Sequence, residues 1–323
     1  MLDVSIDLHL HLDGSLSLSN VKQLAYIQSI TLPKDSELIE MLSVDEECKD
    51  LGEYLEKFDF PLSLLQTEKA IESAVHTLCK ELIAEGCIYA EIRFAPQLHT
   101  LQGLTQEQAV QSAINGFERS ELCGGLILCC MRGNDNRTAN LTTVREAERF
   151  LDRGVLALDL AGNEAGYPTE NFEELFAVVR QKQIPFTIHA GEADGAQSVR
   201  SAVEMGAFRI GHGVRSLEDD SVISLLVDKK IPLELCPTSN INTGIFSSIE
   251  EYPIRELLRK GVIVTVNSDN RSVSATSAKN DIDLLKRVFD LTEDEEKQLL
   301  LNSIQAAFCN QETKKMLIKK VSH

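Results

Sequence analysis

Val4-Ser5-Ile6-Asp7-Leu8-His9-Leu10-His11-Leu12-Asp13-Gly14 alternates apolar and polar residues one by one, the pattern of an extended strand. Successive side chains of a strand point to opposite faces, so His9 and His11 share one face while Leu8, Leu10 and Leu12 share the other. Two imidazoles side by side can grip one metal ion. They can equally form a hydrogen-bonded structural pair, because burying imidazoles without partners is costly. On this segment alone both readings stand.

Working outward, short β-branched or apolar runs predict strands over Val4 to Leu10, Cys87 to Ala95, Gly125 to Met131, Val155 to Ala161, Pro185 to Ala190, Phe208 to Gly211, Ile231 to Cys236 and Val262 to Asn267. Helical periodicity fills the intervals, at Glu68 to Ala84, Thr105 to Phe117, Thr143 to Arg153, Asn171 to Gln181, Gln197 to Met205 and Asp219 to Lys229. Strand and helix in alternation imply a parallel sheet, and eight units predict an α/β fold of the (β/α)8 TIM-barrel kind. A doubly wound open sheet is the alternative, weakened because no G-x-G-x-x-G follows the first strand. At 323 residues the chain exceeds the roughly 250 of a typical barrel and is expected to form one domain, 1–323. The excess lies in two places: an inserted helical segment after strand 1, containing Leu51 to Phe58, and extra C-terminal helices, where Thr292 and Glu295 have capping-box spacing.

Composition narrows the function. With 43% hydrophobic and 25% charged residues the chain is an ordinary globular one. A net charge of −18, with no basic cluster interleaved with aromatics, argues against nucleic acid. No apolar run is long enough for a membrane span and no secretory pattern opens the chain, so a cytoplasmic protein without membrane partners is expected. The cysteines show no C-x-x-C spacing, which favours buried free thiols over disulfides or a thiolate zinc site.

Barrel enzymes carry their chemistry at the C-terminal ends of strands. There the first strand places His9, His11 and Asp13, the fifth runs into His189-Ala190-Gly191-Glu192, the sixth into Gly211-His212-Gly213 and the eighth into Asn267-Ser268-Asp269-Asn270. Singly, His189 could cap a helix and Asp269 could be an N-cap. Jointly, four of the seven histidines at predicted strand ends point to a site. His76 and His99, in a helix and a loop without polar company, and terminal His323 do not join it. Three imidazoles and one carboxylate suit a divalent first-row ion, most simply one zinc, with room for water whose pKa it lowers toward 7. His212 and Glu192 are then available for proton transfer, and the set reads as metal-assisted hydrolysis.

These residues resemble the adenosine deaminases of the amidohydrolase superfamily. The resemblance rests on His9-Leu10-His11-Leu12-Asp13-Gly14, Leu160-Ala161-Gly162-Asn163-Glu164, His189-Ala190-Gly191-Glu192, Ile210-Gly211-His212-Gly213, Cys236-Pro237-Thr238-Ser239-Asn240 and Asn267-Ser268-Asp269-Asn270, in order, and reaches Asn302-Ser303-Ile304. It implies zinc ligation by His9, His11, His189 and Asp269, with His212 and Asp269 activating water and Glu192 protonating the purine N1. Hydroxide would add at C6 and ammonia would leave, turning a 6-aminopurine nucleoside, adenosine and 2′-deoxyadenosine, into its 6-oxo product in purine salvage. By the same implication Gly162 offers its backbone to the base, Asp13 faces the ribose hydroxyls, His11 also touches substrate, and Leu51, Tyr54, Leu55 and Phe58 form an apolar lid. A plain amphipathic surface helix is the alternative for that last segment.

One position departs from the pattern. Many members carry a second Asp after the ligand Asp, where this chain has Asn270. In the family that position contacts the purine N7, an acceptor. A carboxyl must be protonated to donate there, whereas an amide donates as it stands, so Asn270 is expected to keep the contact and flatten its pH dependence. The nearest rival is a relative acting on adenine or a modified adenosine. Adenine-specific relatives tend to carry Glu at the position of Asp13. A phosphoesterase of the polymerase-and-histidinol-phosphatase type also opens with His-x-His but needs more histidines. Binuclear amidohydrolases usually need a Lys where this chain has Asp159-Leu160-Ala161-Gly162, and the H-x-E…P-C-x-x-C deaminase signature is missing. Oligomeric state is not legible.

Overall fold

In the computed structural model, residues 4–45, 48 and 51–321 are described, which leaves His323 outside. Among the described residues there are eight parallel strands: β1 (Ser5–His11), β2 (Cys87–Phe94), β3 (Gly124–Met131), β4 (Val155–Ala161), β5 (Thr187–Ala190), β6 (Arg209–His212), β7 (Leu233–Leu235) and β8 (Val264–Val266). Neighbours in sequence pair in order, β1 to β4 and β5 to β8, with Cα partners such as Arg93↔Ile127 and His189↔Gly211. Two seams join these ladders. Leu158 bridges Phe186, its amide donating to Pro185 O at 2.9 Å; Leu10 bridges Asp269, with His11 N donating to Asp269 O at 2.8 Å and Asp269 N to His9 O at 2.7 Å. The sheet therefore closes into a barrel, and the open-sheet alternative falls. The second seam runs through the predicted metal ligands themselves.

Alternation along the strands sorts side chains into two environments. Leu8, Leu10, Ile92, Leu158, Leu160, Ile188, Ile210, Leu233 and Val264 are fully buried in the apolar cluster that the surrounding helices share. The interposed positions face the barrel axis and, beside small or apolar residues such as Ile127 and Ala157, carry buried charges. Barrel interiors are usually filled by branched aliphatics, yet here Arg93 donates to Asp159 and Glu234 at 2.9 Å each, and Arg209 to Glu234 at 2.5 Å and Glu91 at 2.7 Å. All five charged groups are essentially inaccessible to solvent. Such pairs persist because removing one partner strands the other, at a cost of about 3–5 kcal/mol.

Of the predicted helices, Glu68–Ala84 has the bounds expected, with Thr67 as its side-chain cap. The capping box at Thr292 and Glu295 has both of its hydrogen bonds. Two readings change. The helix expected from Thr143 starts at Arg137, because buried Asn140 stabilises a turn poor in apolar residues by bonding the backbone of Met131. The helix expected over Leu51 to Phe58 is α-helical only at Leu51–Leu55, then 3₁₀ at Glu56–Phe58, before another helix at Asp59–Leu64. Pro61 accounts for the break: it lacks an N–H and its ring crowds the carbonyl four residues earlier, so the Lys57 turn tightens. At the N-terminal mouth the tail folds underneath, where Arg209 donates to Ala306 O at 2.8 Å, stacks 4.0 Å over the Phe308 ring, and Phe308 N donates to Glu91 at 2.6 Å.

Candidate active site

At the opposite mouth the end of β1 brings His9 and His11 against the ends of β5 and β8. His11 Nε2 lies 3.2 Å from His189 Nε2, and the Nε2 atoms of His9 and His11 each lie 3.4 Å from Asp269 Oδ1. Four atoms held about 2 Å from one ion at tetrahedral angles would be about 3.3 Å apart, so these spacings fit a small divalent ion. His9 Nε2 is sealed from solvent with no hydrogen-bond partner, a costly state for a polar atom unless a ligand takes it up. Carboxylates fix the opposite ring nitrogens: Glu234 sits 2.7 Å from His9 Nδ1 and Asp159 3.0 Å from His189 Nδ1. Each carboxylate accepts the Nδ1 proton and leaves Nε2 free to ligate, the arrangement metal-binding histidines generally need. Burial raises both carboxylates, but His189 and Arg93 hold Asp159, and Arg93 and Arg209 hold Glu234, well below the usual carboxylate range. A second possible grouping swaps His11 and His189 for His212 and Cys236. The Cys236 thiol is the weaker candidate, because burial pushes its pKa far up.

Two titratable groups flank the cluster. Glu192 lies 3.6 Å from His212 Nε2, and burial, reinforced by the Asp269 and Glu164 carboxylates, raises its pKa well above normal. It is thereby a carboxylic acid with a proton to give. Burial and the neighbouring His9 lower His212 well below its usual value, which makes it a neutral base. Asn240 meets His212 Nδ1 at 3.1 Å, so Nε2 is the atom turned toward Glu192. His212 and Asp269 both have φ of +59°, a left-handed conformation rare for residues with a side chain. Strain of this kind concentrates at functional sites where the surroundings enforce it.

The loop bearing Glu192 is held by Glu164, whose carboxylate accepts from the amides of Gly191, Glu192, Ala193 and Asp194 at 2.7–3.1 Å. Ser239 Oγ donates to Asp269 Oδ2 at 2.6 Å. Glu164, Ser239 and Asp159 fall within motifs quoted from the sequence but receive no role there, and Glu234 and Arg93 are not singled out. The available signal was Tyr89-Ala90-Glu91-Ile92-Arg93: charges at every second position of a strand buried on both faces must point into the barrel.

A cavity of about 130 Å³ opens beside the cluster. His11, Asp13, Gly162, His189, Glu192, His212, Asp269 and Asn270 line it, together with Leu51, Tyr54, Leu55 and Phe58. Every predicted site residue except His9, sealed behind the cluster, thus faces one space. Gly162 has φ +103°, a conformation that favours glycine and turns its backbone to the cavity. Tyr54 is buried, so the inserted segment is more than a surface helix. His76 lies away in the Glu68–Ala84 helix. His99, read as lacking polar company, is buried with Nδ1 2.8 Å from Leu65 O.

A closed barrel whose first, fifth and eighth strands end in three imidazoles and a carboxylate near enough to hold one ion has the architecture of the amidohydrolases. The model of the adenosine deaminase family matches residues 5–323, and the chain belongs to that family. It is 47% identical to an adenosine deaminase of Haemophilus ducreyi, over 98% of this chain and 95% of that one. To an adenosine deaminase of Enterococcus faecalis it is 38% identical, with the same two coverages of 98% and 95%. Among solved structures, an adenine deaminase from Arthrobacter aurescens superposes with a TM-score of 0.88 at 27% identity, covering 100% of this chain and 98% of that chain.

Proposed function

We propose that this chain hydrolyses the 6-amino group of adenosine, and of 2′-deoxyadenosine, to give inosine or 2′-deoxyinosine and ammonia, with one zinc ion as cofactor. The observation that carries the reading is the meeting of the His9, His11, His189 and Asp269 ligand atoms with Glu192 and His212 at one cavity, in a chain of this family. Those four residues would hold the ion, which when bound supplies Lewis-acid activation of water near neutral pH. His212 Nε2 takes a proton from the attacking water, and Asp269 shares in orienting it. Glu192 delivers a proton to the purine N1, so that a C6–O bond forms without negative charge accumulating on the ring. The proton held by His212 passes to the amino group, the C6–N bond breaks and ammonia leaves, and the C6 hydroxyl proton returns Glu192 to its acid form as the 6-oxo product forms. Gly162 and Asn270 fix the base, at its edge and at N7. Asp13 and His11 face the ribose, and Leu51, Tyr54, Leu55 and Phe58 exclude bulk water.

The same reading places the whole chain in one domain, supported by an apolar core that runs from Ile6 to Val321. Among the described residues no helix is long and apolar enough to cross a membrane, and Cys79, Cys87, Cys129, Cys130 and Cys236 are buried free thiols, which supports a cytoplasmic setting. A small-molecule nucleoside is the partner.

Adenine is the competing substrate, favoured by the likeness to an adenine deaminase. The relatives at 47% and 38% identity and Asp13 in the cavity wall favour the nucleoside. Purified protein is expected to convert adenosine to inosine, followed by its ultraviolet shift, and to act poorly on adenine. A chelator or His212→Ala should abolish turnover. Rapid turnover of adenine without adenosine would overturn the nucleoside reading.

A further inference from the structure

The seam between β1 and β8 carries two of the proposed ligands, His9 and Asp269, and β1 is irregular where it reaches them. From Asp7 to Leu10 it takes three steps where its partner β2 takes two, from Ala90 to Ile92. An extra residue on one strand makes a bulge, and bulges beside active sites re-aim a side chain. The extra residue falls at Leu8 and His9, both fully buried. A bulge disrupts the ladder locally, and buried backbone groups there need other partners.

Side chains supply them. Leu8 N donates to Asn267 Oδ1 at 2.9 Å, Leu8 O accepts from Arg93 at 2.7 Å, and His9 N donates to Asp7 Oδ1 at 3.2 Å. Two of these three groups are anchored in the column below: Asn267 Nδ2 donates to Thr265 Oγ1 at 3.0 Å, and Arg93 spans Asp159 and Glu234. Asp7 is anchored across the seam, its Oδ2 accepting from Ser268 Oγ at 2.5 Å. One buried carboxylate thus grips the main chain of His9 and the residue before Asp269. Backbone pairing resumes just beyond, where Asp269 N donates to His9 O and His11 N to Asp269 O. A carboxylate is costly to bury, so its place here depends on the bonds it makes. Neither Asp7 nor Ser268 is among the residues lining the cavity, so any effect they have on the site passes through His9 and Asp269.

We propose that Asp7 is a positioning residue for the metal centre: its carboxylate, held by Ser268, fixes the β1 bulge against β8 and so sets the His9 imidazole and the Asp269 carboxylate at the spacing one ion requires. The inference rests on the reading of His9, His11, His189 and Asp269 as the ligands. Glu234 and Asp159 fix the rings of His9 and His189 from below. Asp7 fixes the backbone from which the His9 ring projects.

The test reads zinc affinity, by competition with a chromogenic chelator, and the visible spectrum of the cobalt(II)-loaded protein, which follows ligand geometry. Asp7→Asn keeps the size of the side chain but leaves an acceptor at one end only. It should bind zinc about 10-fold to 100-fold more weakly than the parent and shift the cobalt spectrum. Ser268→Ala should weaken binding in the same direction, and adding it to Asp7→Asn should weaken it no further. His9→Ala, as the control, should bind no zinc at this site. A lower thermal midpoint in Asp7→Asn with the parent's affinity and spectrum overturns the inference and leaves the ligands standing. No zinc bound by the parent, or equal binding by the parent and His9→Ala, overturns the ligand reading and the inference together. A further loss when Ser268→Ala is added to Asp7→Asn overturns the inference, since Ser268 would then act by another route. Should Asp7→Asn fail to fold, Ser268→Ala decides alone, and the parent's affinity and spectrum in that variant overturn the inference.

Discussion

The two mouths of the barrel are built from the same materials and do opposite things. At the N-terminal mouth Arg209 is paired with Glu234 and Glu91, donates to Ala306 and stacks on Phe308. At the C-terminal mouth, buried polar atoms of His9, Asp13 and Asn270 lack partners, and His212 and Asp269 sit in strained backbone conformations. The same strands connect both ends: β6 runs from Arg209 to His212. The difference teaches that function here lies in incompleteness. Buried charge paired as at Arg209 holds a fold together, whereas unpartnered polar atoms gathered at one cavity, as at Asp13 and Asn270, are open to a ligand.

The comparison breaks most visibly through Glu192. Glu192→Gln keeps the shape and removes the proton, so kcat should fall about 10²–10⁴-fold while the thermal midpoint stays level or rises, measured on the same preparation. Arg209→Met should do the reverse. It strands Glu91 and takes one of two arginines from Glu234, and chemical denaturation should show a loss of about 3–5 kcal/mol, with kcat of the folded protein nearly unchanged. An equal loss of activity would mean that the lower mouth takes part in catalysis.

His99 lies in neither mouth and sharpens the contrast by pH. Burial lowers its pKa to about 4 in the fold, against 6.5 for the ordinary side chain. Between those values the unfolded chain binds the extra proton, so stability falls as pH drops from about 6.5 to about 4, by up to about 3 kcal/mol. Thermal midpoints of His99→Gln should decline less over that window than those of the parent. The smallest effect is expected between the mouths, at Asp159→Asn, where the carboxylate that fixes His189 is neutralised. Competition with a chelator should show metal affinity about 10–100-fold weaker.

Much of the upper mouth was legible because its residues come as short strings at strand ends, as in His9-Leu10-His11 and His189-Ala190-Gly191-Glu192, where local sequence and local geometry coincide. The column beneath was not. Asp159 and Glu234 each sit alone within an apolar strand; Arg209 meets Glu234 from the neighbouring strand, but Arg93 comes from a strand far away in sequence and reaches both carboxylates only across the barrel interior. The tight turn at Glu56–Phe58 was missed because apolar spacing concealed the effect of Pro61, and the early start of the Arg137 helix because Asn140 does there what an apolar residue usually does.

The central claim is that one ion held by His9, His11, His189 and Asp269 supports deamination at this cavity. Its most direct test is to strip the protein with a chelator and titrate zinc back while following adenosine turnover. Activity should return linearly and level off at one equivalent per chain, and His9→Ala should neither bind that equivalent nor recover. A plateau at two equivalents, or full turnover in the stripped protein, would contradict the account.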